Sequence, residues 1–282
     1  MSLRILILST VSATVLANCG SSVVPQLDTI MFSAESVDVS EIGILTIGGT
    51  VAAPTFFIDG VEIAGVVDNA LVNGVLAGTK FTKHGIVIKD HLIVGRTEGG
   101  YVAVGAGEFK PIGLEYLTGV MERTEATELP TIGTAEYKGD YVGLVNERNS
   151  PAPSLINDVD FLIVGDAILN VDFDGSSISG SIVNRVLLGP ENGVPIVGFP
   201  ISDVMLGTSL IDSDGNFSGA TSGGNITAPS GTNGPALGSY SGMPVGPDGE
   251  SIIGVLLLPI NTGTNYPTDG GMEIGGFIAD QQ

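Results

Sequence analysis

LPTIGTAEYKGDYVG, residues 129–143, decides the fold. From Thr134 onward it alternates with a period of two. Ala135, Tyr137, Gly139, Tyr141 and Gly143 fall on one side, and Glu136, Lys138 and Asp140 fall on the other. Successive side chains of an extended chain point to opposite faces, so this pattern predicts a strand with one face in a core and one in water. Leu129-Pro130 just upstream punctuates the chain, because proline has no N–H for a central ladder position. Residues 124–130 are polar and end at that proline, which divides the chain into regions 27–128 and 129–282.

Working outward, seven further strands follow in the second region, at 167–173, 177–183, 204–211, 216–221, 236–243, 251–258 and 272–278. Leu169, Val171 and Phe173 oppose Asn170 and Asp172; Ile178, Gly180 and Ile182 oppose Ser177, Ser179 and Ser181. With the first strand, 134–145, these make eight. Eight antiparallel strands in sequence predict an up-and-down barrel small enough for side chains to fill, and glycine between bulky residues suits its tapering interior. The stretches 146–165, with Pro151 and Pro153, and 223–235, rich in Gly, Ser, Thr and Asn, read as loops.

The first region also reads as short strands: 42–47, 55–58, 61–67, 86–88, 92–94 and 101–104, with Asp59-Gly60 as a two-residue hairpin turn. Residues 68–76 could form a short helix, weakened by Asn73 and Gly74, and 114–121 is ambiguous. The fold class is therefore all-β: a small β-rich region followed by an eight-stranded antiparallel barrel. The 42 glycines carry no three-residue period, which excludes collagen.

The chain carries 31 acidic and 10 basic side chains, a net charge of −21. Such a surface repels phosphate backbones, so nucleic acid is excluded as a partner, and a charge-steered partner is basic. Residues 1–18 read as a signal peptide: Arg4 supplies the positive start, and 5–16 form an apolar run too short to span a bilayer. Two cleavage readings remain open. Leu16-Ala17-Asn18-Cys19 resembles a bacterial lipobox, although Asn18 is larger than the usual residue; Val15 and Ala17 would serve an ordinary cleavage site of a secreted protein. Cys19 is the only cysteine and so has no disulfide partner, which favours lipidation, with 19–26 as a polar tether.

Two similar stretches, NVDFDGSSISGSI (170–182) and SLIDSDGNFSGAT (209–221), each place Asp-x-Asp-Gly between strands. They read as two β-turns; calcium held by Asp172 and Asp174, or by Asp212, Asp214 and Asn216, would lack the glutamate that completes an EF-hand. No Gly-x-Ser-x-Gly elbow, His-Glu-x-x-His, Cys-x-x-Cys or P-loop occurs, so no catalytic role is expected.

Five segments in order resemble the barrel of the transferrin-binding-protein-B-like surface lipoproteins: LPTIGTAEYKGDYVG (129–143), VDFDGSSISGSI (171–182), DGNFSGATSGG (214–224), GSYSGMPVGPDGESIIGV (238–255) and MEIGGFIADQQ (272–282). The chain departs from the pattern at Met243-Pro244-Val245, where relatives are more aromatic. The resemblance implies a handle-like domain at 27–128 ahead of the barrel at 129–282. It also implies lipidation at Cys19, surface exposure on the outer membrane and a non-catalytic role. The implied cargo is an iron carrier or a haem-bearing protein, with an outer-membrane transporter as a further partner. Soluble secretion, adhesion or complement-factor binding is the alternative. No cofactor is expected to reside in the chain. Were haem the cargo, His84 and His91 would be the axial-ligand candidates, seven residues apart and able to meet only across a turn near Lys89-Asp90; a pair of polar surface histidines is the plainer reading. The outward positions of the first three barrel strands are polar, which argues against a barrel embedded in lipid, as does an end at Asp280-Gln281-Gln282.

Overall fold

The computed structural model describes residues 32–33, 45–50, 53–58, 61–62, 67–68, 76–86, 90–109, 114–146, 161–189, 193–197, 201–224, 238–259 and 272–282. No helix occurs among them. The first region holds β1 (Phe32–Ser33), β2 (Leu45–Thr50), β3 (Ala53–Ile58), β4 (Val61–Glu62), β5 (Val67–Asp68), β6 (Phe81–Ile86), β7 (Asp90–Thr97), β8 (Gly100–Phe109) and β9 (Leu114–Arg123). The second holds β10 (Thr134–Asn146), β11 (Phe161–Asp172), β12 (Ser177–Leu188), β13 (Val204–Leu210), β14 (Phe217–Gly223), β15 (Ser239–Val245), β16 (Ser251–Pro259) and β17 (Met272–Gln281).

Strands β10 to β17 close into an eight-stranded barrel, each pairing antiparallel with its neighbours in sequence, and β10 with β17. Its interior is the expected apolar face: Tyr137, Tyr141, Leu169, Val171, Ile178, Ile182, Phe217, Tyr240 and Phe277 share one buried core. Four of the large rings fit because a glycine on an adjoining strand faces them. Phe277 is paired with Gly254, Phe217 with Gly242 and Tyr240 with Gly219; Tyr141 leans over Gly275. A Cβ at any of these glycines would fall inside the neighbouring ring. Part of the glycine content thus has a packing cause: in a small closed barrel these four rings occupy space that the opposite strand leaves by contributing no side chain.

A six-stranded sheet in the order β1-β9-β8-β7-β6-β5 lies against the outside of the barrel, and β2, β3 and β4 form a three-stranded sheet. Ile58 pairs with Val61, the register that the Asp59-Gly60 hairpin requires. A second apolar core fills the join. Phe81, Ile93, Val102, Val104 and Met121 from the sheet meet Val142, Leu144, Ile253, Val255, Ile274 and Ile278 from the barrel wall. A strand buried on both faces loses its alternation, which is why β10 changes from Glu136, Lys138, Asp140 outside to Val142 and Leu144 outside. A polar latch closes one rim of the same join. Lys80 donates its backbone N–H to Asp140 at 2.9 Å and its ammonium to Asp280 at 2.5 Å, and Ser251 donates to Asp280 at 2.6 Å.

Several expected boundaries move. The apolar run Phe161-Leu162-Ile163-Val164, assigned from sequence to a loop, opens β11 because it too is apolar on both faces. Residues 114–121 are strand, carried by the edge that β9 offers to β8. The stretch 86–88 gives way to β6, five residues earlier in its start, and 61–67 is described as β4 and β5. Of the proposed helix 68–76, only Asp68, in β5, and Leu76, in a turn, are described. Replacing Gly254 by alanine should destabilise the barrel by about 1–3 kcal/mol through overpacking. Urea unfolding should show the loss, and Phe277→Leu in the same chain should restore part of it.

Candidate ligand-binding end of the barrel

The two ends of the barrel differ in kind. At one end the connections are tight turns at 173–176, 211–216 and 246–250. Aspartate geometry builds them: Asp172 accepts the N–H of Gly175 at 3.1 Å, and Asp212 accepts those of Asp214 and Asn216 at 2.9 and 2.8 Å. Asp174 reaches the N–H of Gly133 at 3.0 Å. These side chains are occupied by turn formation, and among the described residues no group of three or more His, Cys, Asp or Glu could hold a metal. Leu129 packs under this end against the interior core, and Glu128 donates to the carbonyl of Pro247, so the stretch that opens the barrel also plugs it.

Antiparallel up-and-down topology sends every other connection to the opposite end. The strand ends that bound 147–160, 189–203, 224–238 and 260–271 lie there, together with the facing ends of β6 and β7 and of β8 and β9 in the outer sheet. Each barrel loop there is longer than any turn at the other end. Within the described part of 189–203, the chain folds back on the end of β12. Gly189 donates to Val194 at 2.9 Å, Ile196 donates to Leu187 at 2.8 Å, and Leu188 bridges Pro195. This arm carries Val194 at 57% and Val197 at 88% exposure.

Beneath these loops, inside the barrel, sits a charged cluster. Arg185 Nη2 donates to Glu273 Oε2, with both side chains fully buried. Tyr141 donates its hydroxyl to Glu273 Oε1 at 2.5 Å, and Arg185 Nη1 donates to the carbonyl of Ser202 at 2.7 Å. A bulge aims Arg185 inward. Between the pairs Asp166–Val183 and Val164–Val186, β12 has one residue more than β11, and Asn184 takes a left-handed backbone at φ 53°. Asn184 secures that bend by donating to Asp166 at 2.7 Å. The extra residue reverses parity, so Ile182 and Arg185 face the same interior. Burial alone would lower the Arg185 guanidinium, but Glu273 and Tyr141 beside it hold it above its ordinary value. Burial, and then the Glu273 charge, keep the Tyr141 phenol well above the usual range.

No spacing in the sequence marks Arg185 or Glu273. The available signal was a lone cation and a lone carboxylate within apolar strands. Of the residues singled out from sequence, His84 pairs in the ladder with Leu92 and His91 with Gly85, on β6 and β7, one register step apart. Cys19 lies outside the described residues.

The chain resembles solved structures of transferrin binding protein B. Against a double mutant of this vaccine antigen from Haemophilus parasuis Hp5 the TM-score is 0.50 at 16% identity, covering 91% of this chain and 45% of that one. A single mutant from the same source gives 0.48 at 16% identity with the same coverage. The isotype 1 protein from serogroup B Neisseria meningitidis gives 0.44 at 16%, covering 91% and 43%. The chain thus spans less than half the length of these proteins, and the first of the three likenesses establishes the fold, a handle-like sheet beside an eight-stranded barrel. No protein-family model and no curated protein matches the sequence.

Burial raises the phenols of Tyr137 and Tyr240 to about 12. A phenol that keeps its proton in the fold but loses it near pH 10 when unfolded makes stability fall as pH rises between those values, by about 1.4 kcal/mol per pH unit per group. Unfolding free energies from urea titrations should hold from pH 9 to 10 and decline from about pH 10 to 12, and Tyr240→Phe should flatten the decline.

Proposed function

We propose that the chain is a non-catalytic surface lipoprotein whose long-loop end captures a protein ligand, an iron carrier or a haem-bearing protein being the favoured cargo. Residues 1–18 are the signal peptide, Cys19 carries the lipid, 19–26 form the tether, and 27–128 and 129–282 are the handle and barrel domains. The observation that carries this reading is the segregation of connections. Among the described residues, apolar side chains occupy the barrel interior, so the surface best placed for a partner is the end where the long connections gather. The fold it shares with transferrin binding protein B supports a protein partner. The acidic surface favours a basic one. Soluble secretion with adhesive or complement-factor binding is the competing reading, and it shares the same loop end. A capturing protein lying at the outer membrane could hand its cargo to a transporter there.

Immobilised full-length protein, with residues 1–18 removed, should bind transferrin or haemoglobin saturably. Exchange of 225–237 for a Gly-Ser segment of equal length should abolish binding without changing the melting temperature. Absence of binding to both, together with no Soret shift on hemin titration, would reject the iron-carrier and haem cargoes. His84→Ala and His91→Ala test the haem branch, since a Soret shift that survives both removes these histidines as ligands. In a Gram-negative host, the chain should partition into the detergent phase of Triton X-114 and Cys19→Ser should move it to the aqueous phase; partition unaffected by that change would favour the secreted reading.

A further inference from the structure

We propose that Arg185 is a positioning residue for the ligand-binding end: clamped inside the barrel by Glu273, it fixes the descending arm of the β12–β13 connection through the carbonyl of Ser202. This rests on the reading that the long-loop end binds the partner.

Three independent features converge on it. The first is the cost of the arrangement. Residues 130–282 contain three basic side chains, Lys138, Arg148 and Arg185, and the third is wholly buried. A buried ion pair contributes little that well-packed apolar residues would not. This one also leaves the buried Arg185 Nε without a hydrogen-bond acceptor, which adds to its cost. The second is the bulge. Regular alternation from Ile178 and Ile182 would turn Arg185 to the outside; the left-handed Asn184, bonded to Asp166, turns it in. The third is reach. One guanidinium touches β17 through Glu273 and the β12–β13 connection through Ser202, and Glu273 in turn holds β10 through Tyr141. The carboxylate of Asp203, the next residue, adds its charge to the field at Arg185, and its backbone carbonyl accepts the N–H of Gly224 at 2.9 Å, tying the start of the β14–β15 connection beside the same point. One long connection is thereby bonded directly to a planar, five-donor group, for which lysine is not a substitute, and a second is tied to the residue next to that bond.

Hydrogen exchange followed by mass spectrometry on the full chain tests this without any ligand. In Tyr141→Phe/Arg185→Met/Glu273→Leu, which removes the three polar groups together, the amides of 201–206 should exchange about tenfold or more faster than in the parent. Those of 134–140 and 251–258 should keep their rates, and the melting temperature should stay within about 5 °C. Arg185→Lys keeps the charge opposite Glu273 but cannot span to Ser202, so it should show the same local acceleration; this variant carries the test if the triple one does not fold. Unchanged protection of 201–206 in Arg185→Lys, or in a folded triple variant, overturns the proposal. A failure of transferrin, haemoglobin or hemin to bind would count against the binding reading alone and would leave the exchange result untouched.

Discussion

The fold depends on how large rings are fitted into a closed eight-stranded wall. An interior of this size is just wide enough for side chains to fill it, and the four rings Tyr141, Phe217, Tyr240 and Phe277 are admitted because Gly275, Gly242, Gly219 and Gly254 leave room on the adjoining strands. This matching of ring to gap also sets register. Shifting a strand by one step would place a ring against a side chain and turn the apolar face to water. The tilted contact between Phe217 and Tyr240, with centroids 6.1 Å apart, follows from two such pairs lying next to each other on β14 and β15.

Irregularity is concentrated where the regular scheme has to be broken. Along β13 and β14 the ladder runs only from Val204–Gly223 to Leu206–Thr221. Beyond it, side chains take over: Ser209 donates to the carbonyl of Ser218 at 2.6 Å, and Tyr240 donates from inside the barrel to the carbonyl of Gly207. On β12 the bulge at Asn184 brings a cation into an apolar interior. One irregularity is closed by hydroxyls and the other by a carboxylate, so most of the polar groups displaced from the ladder still meet partners, Arg185 Nε being an exception.

The barrel was legible in the sequence because its hairpins turn on Asp-Gly and its interior face alternates, as at 134–143 and 177–183. The join with the outer sheet was less so. Phe161 to Val164 and Val142 to Val145 are apolar on both faces, and a run without alternation is silent about which surface covers it. The long-loop end was legible only as loops. Its inner cluster depends on a one-residue bulge that reverses parity, and on Arg185 and Glu273 meeting across the barrel, neither of which leaves a spacing in the chain. The aspartates of the turns were conspicuous in sequence for the opposite reason: they bond to backbone within a few residues of themselves.

Every seam of the barrel but one joins strands adjacent in sequence; the exception is β10 with β17. Loop-closure entropy makes that pairing the slowest to form. For a chain emerging from its N-terminal end, β10 must then wait with one edge open until β17 arrives, and an open edge invites wrong partners. The outer sheet precedes β10 in the chain, and Val102 and Val104 of β8 lie over Val142, Leu144, Ile274 and Ile278 on both sides of this seam. The outer sheet is therefore placed to shelter the first strand during synthesis and offers the apolar surface against which the last one packs.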